Sequence, residues 1–109
     1  MHKVLIDENL PVKIKYRLQD ICEIFTVNDK NWNSLENGDL IRAMEKDKFD
    51  FLITSDKHLQ YQQNIAKYSI EFLILDITDN NYETIFPLVE KIKKILQSKE
   101  KPKLVIIKQ

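Results

Sequence analysis

Asp7 and Glu8 follow directly on the apolar run Val4-Leu5-Ile6, and Thr54-Ser55-Asp56 continues a second run, Phe51-Leu52-Ile53. A third segment brings Asp39, just after Asn37-Gly38. Carboxylates gathered in one place repel unless they share protons or a cation. Hard oxygen donors of this kind suit Mg²⁺ or Mn²⁺, which keep part of their water shell and bind phosphate oxygens. One or two such ions can activate water and steady the leaving oxygen in phosphodiester hydrolysis. Each acid taken alone also has a structural explanation. Asp7 or Glu8 favours the N-terminal end of a following helix, Asp39 suits the first turn of its own, and Asp56 can cap the next. The case for chemistry rests on the set.

For the set to meet, the chain must carry these acids to one edge of one sheet. Val4–Ile6, Phe49–Thr54 and Ile70–Leu75 read as short apolar strands of a parallel sheet, buried on both faces. Ile21–Val27 alternates more and reads as an edge strand, and Lys103–Ile107 closes the chain as a fifth. Between them lie helical patterns. Asn9 can cap a first helix with Pro11 in its opening turn and Leu10, Ile14, Leu18 and Ile21 on one face. A second helix begins at Asp39, and Lys57–Ala66 suggests a short third. The last carries Tyr82, Ile85, Phe86, Val89, Ile92 and Leu96 on one face, with Pro87 as a kink or as its true start. Strand and helix in alternation predict an α/β three-layer sandwich with a five-stranded, mainly parallel sheet in the order 2-1-3-4-5 and right-handed crossovers. The switch point then falls between the first and third strands, where open α/β sheets place their ligands.

Length and composition narrow the classes. A chain of 109 residues, 43% apolar and 31% charged, reads as a single domain over 1–109 with one core. Seventeen basic residues balance seventeen acidic ones, so nucleic-acid binding requires a local basic patch. Lys13, Lys15, Arg17, Lys57 and Lys67 are the candidates for such a rim, with scattered solvated charge as the alternative. One cysteine and two histidines argue against an internal disulfide and a structural zinc site. With no apolar run long enough for a signal peptide or a membrane span, the expected location is the cytoplasm. Trp32 reads as a packed loop anchor, His58 as a surface histidine and Asp76 as a peripheral strand end. The amides of Tyr61-Gln62-Gln63-Asn64 could bond a substrate or a carboxylate.

Leu5-Ile6-Asp7-Glu8-Asn9-Leu10-Pro11, Asn37-Gly38-Asp39-Leu40-Ile41 and Phe51-Leu52-Ile53-Thr54-Ser55-Asp56-Lys57, in that order, resemble the small PIN-like proteins grouped as DUF5615, related to the Mut7-C domain. The resemblance covers roughly the first two thirds of the chain. It implies a PIN-like fold, a Mg²⁺ or Mn²⁺ site and ribonuclease activity, often as the toxin of a bacterial toxin–antitoxin pair. RNA, a cognate antitoxin protein and a second copy in a homodimer are the implied partners. By position, Asp7, Asp39 and Asp56 become the catalytic acids, and Asp7, Glu8 and Asp56 the metal ligands. Asn9, Asn37, Thr54, Lys57 and Gln62 take substrate-binding or orienting roles. A PIN nuclease usually offers a fourth acid, for which Glu8 and Asp76 are the candidates.

Two other functions fit parts of the pattern. A PIN-like fold without catalysis would act as an RNA- or protein-binding module. A receiver-like phosphoacceptor domain also places paired acids after its first strand and an Asp after its third. It further wants a Thr or Ser ending the fourth strand and a Lys ending the fifth, where this chain has Leu75-Asp76, a late Thr78 and a nearly terminal Lys108. Asp39 has no task in a receiver.

Overall fold

A computed structural model describes residues 1–100 and 102–109. Five strands, β1 (Lys3–Ile6), β2 (Glu23–Thr26), β3 (Phe51–Thr54), β4 (Glu71–Asp76) and β5 (Leu104–Lys108), form one sheet in the order 2-1-3-4-5. Every pairing is parallel. The sequence explains the order. All of β3 is buried, and Val4–Ile6 and Phe72–Leu75 are too, so these strands need neighbours on both edges and cover on both faces. The alternation of β2, exposed then buried, suits the edge it occupies.

Side chains alternate across the pleat and divide the core in two. Val4, Ile6, Ile24, Phe51, Ile53, Leu73, Leu75 and Ile107 face one helix layer. That layer holds α1 (Lys13–Leu18), α4 (Tyr82–Ile85) and α5 (Val89–Gln97), through Ile14, Leu18, Ile85, Val89, Ile92 and Leu96. Leu5, Leu52 and Phe72 face the other layer, formed by α2 (Asn37–Lys46) and α3 (Leu59–Gln62).

The connections do not all have the same hand, contrary to the sequence expectation. The crossovers from β1 to β2 and from β4 to β5 pass over the same face but step in opposite directions across the sheet, so their hands are opposite. The crossovers through α2 and α3 run over the other face and share the hand of the first. With the right hand nearly universal, the connection to β5 is the reversed one. Its cause lies in the apolar stripe of α5, which completes the core layer begun by α1. The opposite face of β5 is left partly open, and Ile106 is 44% exposed there.

Element boundaries depart from the pattern in instructive places. Asn9 does not cap α1: Leu10 N donates to Asp7 O at 3.1 Å, closing a turn that delays the helix to Lys13. Helix α2 starts earlier than expected, at Asn37, with Gly38 inside its first turn. The predicted helix over Lys57–Ala66 shrinks to α3, followed by a 3₁₀ turn at Ile65–Lys67. Pro87 sits in a 3₁₀ turn, Phe86–Leu88, that joins α4 to α5, so it is a kink between two helices. Phe86 leaves the apolar stripe there and is 49% exposed. Trp32 packs as an anchor, its ring 5.7 Å from that of Phe49. Among the described residues no helix is long and apolar enough to cross a membrane.

Candidate metal and catalytic site

The β1–β3 ladder continues one residue beyond the strand, where Asp7 N donates to Ile53 O at 2.9 Å. This fixes Asp7 beside Thr54 at the C-terminal ends of two adjacent central strands. Thr54, fully buried, donates its hydroxyl to Asp7 Oδ2 at 2.6 Å and accepts the backbone N–H of Asp56 at 3.1 Å. One hydroxyl thus couples the first-strand acid to the loop carrying the third-strand acid. Asp7 Oδ1 also accepts Glu8 N at 2.9 Å. Asp56 Oδ1 accepts His58 N at 3.0 Å, and its Oδ2 faces Asn37 Nδ2, the first residue of α2, at 3.4 Å. Glu8 is held more loosely, with Asn33 Nδ2 3.5 Å from its Oε2.

The electrostatics match this arrangement. Burial holds the Asp7 carboxyl above the ordinary carboxylate range, against the two hydrogen bonds from Thr54 and Glu8 that favour its ionised form. The negative charges of Glu8 and Asp56 push it further up. A carboxylate kept part-buried beside two others gains most from a cation.

The remaining expected residues are dispersed. Asp39 is exposed on the first turn of α2, and its carboxylate is paired with Arg42 one turn on, so it does not join the cluster. Lys57 Nζ lies 3.1 Å from Asp76 Oδ1, forming an ion pair at the end of β4. Asn9 and Gln62 are exposed. Gln63 is the amide that lies against the first turn of α2 at Gly38. A Cβ on Gly38 would stand 3.4 Å from its Oε1. Sequence reasoning also missed Asn33 and the pair Ser55–Asn80, joined at 2.8 Å between the side-chain oxygens. Loop amides and hydroxyls carry no periodic signal; only their nearness to the acids, known after folding, marks them.

Among the described residues, no three His, Cys, Asp or Glu side chains converge closely enough to hold an ion by themselves. Asp7 and Asp56 are neighbours, linked through the Thr54 hydroxyl, which bonds the Asp7 carboxylate and the Asp56 backbone N–H. Mg²⁺ is commonly bound through one or two carboxylates with water and substrate oxygens completing the octahedron. These residues fit such an ion. No family model matches the chain, and neither a curated protein nor a solved structure proves similar to it.

Proposed function

We propose that this chain is a Mg²⁺- or Mn²⁺-dependent ribonuclease of PIN-like type. The observation that carries the reading is the Asp7–Thr54–Asp56 link at the switch point of the sheet, with Asp7 held above the usual carboxylate range by burial and by its acidic neighbours. A bound divalent ion supplies the positive charge that lets both carboxylates ionise side by side and brings a water into reach of the scissile phosphate. Asp7 and Asp56 would hold it. Thr54 ties the Asp7 carboxylate to the Asp56 backbone, and Asn37 meets the Asp56 carboxylate from the first residue of α2. Asp56 would accept the proton of the attacking water, with Glu8 as the alternative. The resemblance of the motifs to toxin-type PIN-like proteins extends the proposal to the toxin of a toxin–antitoxin pair.

Calorimetry with Mn²⁺ tests the site first. One ion should bind the natural chain, and Asp7→Asn or Asp56→Asn should remove it. Cleavage of RNA should then require the ion and vanish with Asp7→Asn. Absence of binding at millimolar metal refutes the catalytic reading.

One observation favours a second reading, a PIN-like binding module without catalysis: Asp39, the expected helix acid, is committed to Arg42. On that reading RNA or partner affinity survives Asp7→Asn and no cleavage is seen. The receiver alternative is weaker. Strand β4 ends in Asp76, paired with Lys57, and Thr78 bonds Gln109 through both its N–H and its hydroxyl.

A further inference from the structure

The five basic residues that could form a phosphate-facing rim have different fates. Lys15 is ion-paired with Asp29 at 2.8 Å, and Lys57 with Asp76 at 3.1 Å. Lys67 lies over the Tyr68 ring on the far helix layer. Lys13 and Arg17 remain, on the exposed side of α1, and neither forms an ion pair among the described residues. Both are set against aromatic rings instead. Arg17 Nε donates to the Tyr82 hydroxyl at 2.6 Å, and its guanidinium carbon stands 5.2 Å from the centre of the Phe86 ring and 6.0 Å from that of Tyr82. Lys13 Nζ lies 5.4 Å from the Tyr82 ring centre.

Two further rings open outward. Tyr16 is 61% exposed and Phe86 49% exposed, and Phe86 is the residue that the Pro87 turn removes from the core. A cavity of about 310 Å³ lies between Lys13, Tyr16, Arg17 and Tyr82. A second, beyond Arg17, is bounded by Phe86, Lys93 and Glu90. Of the nearby acids, Asp20 is occupied by Lys93 at 3.2 Å, and Asp79 accepts Thr84 Oγ1 and Asn81 N. Glu83, exposed beside Tyr82, and Glu90 are left as the acidic border of the patch.

We propose that the surface formed by Lys13, Tyr16, Arg17, Tyr82 and Phe86 binds single-stranded RNA and leads it to Asp7 and Asp56. Unpaired cations beside exposed rings match a strand with a charged backbone and unstacked bases, and base–ring stacking tolerates any sequence. A duplex hides the base faces that Tyr16 and Phe86 would take, so a single strand is the better fit. The direction follows from the chain. Helix α1 starts six residues after Asp7, and Tyr82 follows the Asn80 that bonds Ser55, the neighbour of Asp56. Delivery to the acids rests on the ribonuclease reading; the binding itself does not.

Fluorescence anisotropy of a labelled oligouridylate with EDTA present tests the binding without cleavage. Arg17→Ala should weaken it about tenfold and flatten its salt dependence by roughly one phosphate contact, Tyr16→Ala should weaken it at unchanged salt slope, and Arg17→Lys should lose less than Arg17→Ala. Tyr16 and Arg17 are exposed, so these variants keep the fold. Failure of the natural chain to bind at low salt overturns the proposal, as does natural affinity in Arg17→Ala and Tyr16→Ala. Displacement by polyglutamate as readily as by unlabelled RNA overturns it too, and points to an acidic protein partner. Binding without cleavage when Mn²⁺ replaces EDTA defeats the nuclease reading and leaves the surface standing. Cleavage with variant affinities unchanged does the reverse.

Discussion

Replacing Thr54 by Val removes one buried oxygen and leaves the packing volume nearly intact. Two hydrogen bonds go with it: the 2.6 Å bond to Asp7 Oδ2 and the 3.1 Å bond from Asp56 N. A bond to a charged acceptor contributes roughly 1.5–3 kcal/mol, and one to a backbone amide about 1 kcal/mol. Asp7 is only part-buried, so water recovers some of the first, and the net loss should be about 2 kcal/mol. For a domain near this size that lowers Tm by roughly 8–16 °C. The loss should also depend on pH. The Thr54 bond favours the ionised form of Asp7, so without it the Asp7 carboxyl moves further above the ordinary range. A raised folded-state pKa gives a contribution that is present below the unfolded value and fades as pH rises through the folded one. The gap in Tm between the natural chain and Thr54→Val should therefore be smaller near pH 4, where the lost Asp56 N bond still counts, and widen toward pH 8. Thr54→Ser, which keeps the hydroxyl, should restore the pH dependence while losing a methyl. Thermal unfolding followed by circular dichroism across that pH range is the assay. A Tm within about 2 °C of the natural chain, or a gap constant with pH, would refute the coupling of Asp7 to Thr54.

The same linkage sets the sign for Asp7→Asn. Asp7 is kept above its ordinary range, so ionising it at neutral pH works against folding, and the amide should raise Tm at pH 7 while abolishing Mn²⁺ binding. A lower Tm at pH 7 would count against burial as the main cause of the shift. Cys22 is buried, its thiol pushed up to about 11 mainly by burial, so Ellman's reagent should stay nearly unreactive with the native chain at pH 8 and react promptly in denaturant. Asp29 behaves oppositely. The Lys15 hydrogen bond, with that from Thr26 N, holds it below the ordinary range, so its modest contribution should be present above the unfolded value and disappear as pH falls through the folded one. Asp29→Asn should accordingly differ from the natural chain in urea unfolding at pH 7 and converge with it near pH 2.

Much of the fold could be read from the chain because burial on two faces leaves an unambiguous record. Val4-Leu5-Ile6 and Phe51-Leu52-Ile53 have no polar residue to face water, so they had to be central, and the alternation of β2 put it at an edge. Asp7 and Asp56 could be placed together for the same reason, since Asp7 directly follows one central strand and Asp56 lies two residues past the end of another. What the sequence hid depended on contacts that no local pattern encodes. Thr54 reads as the last residue of a strand, and its place between two acids appears only when β1 and β3 are in register. Asp39 shares the right segment with Asn37, yet helix geometry turns it toward Arg42 while Asn37 faces Asp56. The delayed start of α1 reflects a backbone turn at Asp7–Leu10 that outcompetes the Asn9 cap. Phe86 has the spacing of a core residue, and only the 3₁₀ turn around Pro87 rotates it outward.

The reversed crossover to β5 bears on the order in which the molecule assembles. A strand released after β4 would, by the usual twist, bring its helix over the face occupied by α2 and α3. It takes the other route because Val89, Ile92 and Leu96 find their partners on α1. Docking of α5 on α1 should then precede the zipping of β5 onto β4, and the final strand is an addition to a layer already built. In stopped-flow kinetics Ile92→Val should slow folding, whereas Ile107→Val should mainly speed unfolding. Equal partition of the two effects would contradict this order. A strand added last is also the part of a sheet most readily released, so slow hydrogen exchange should reach from β1 to β4 and stop short of β5.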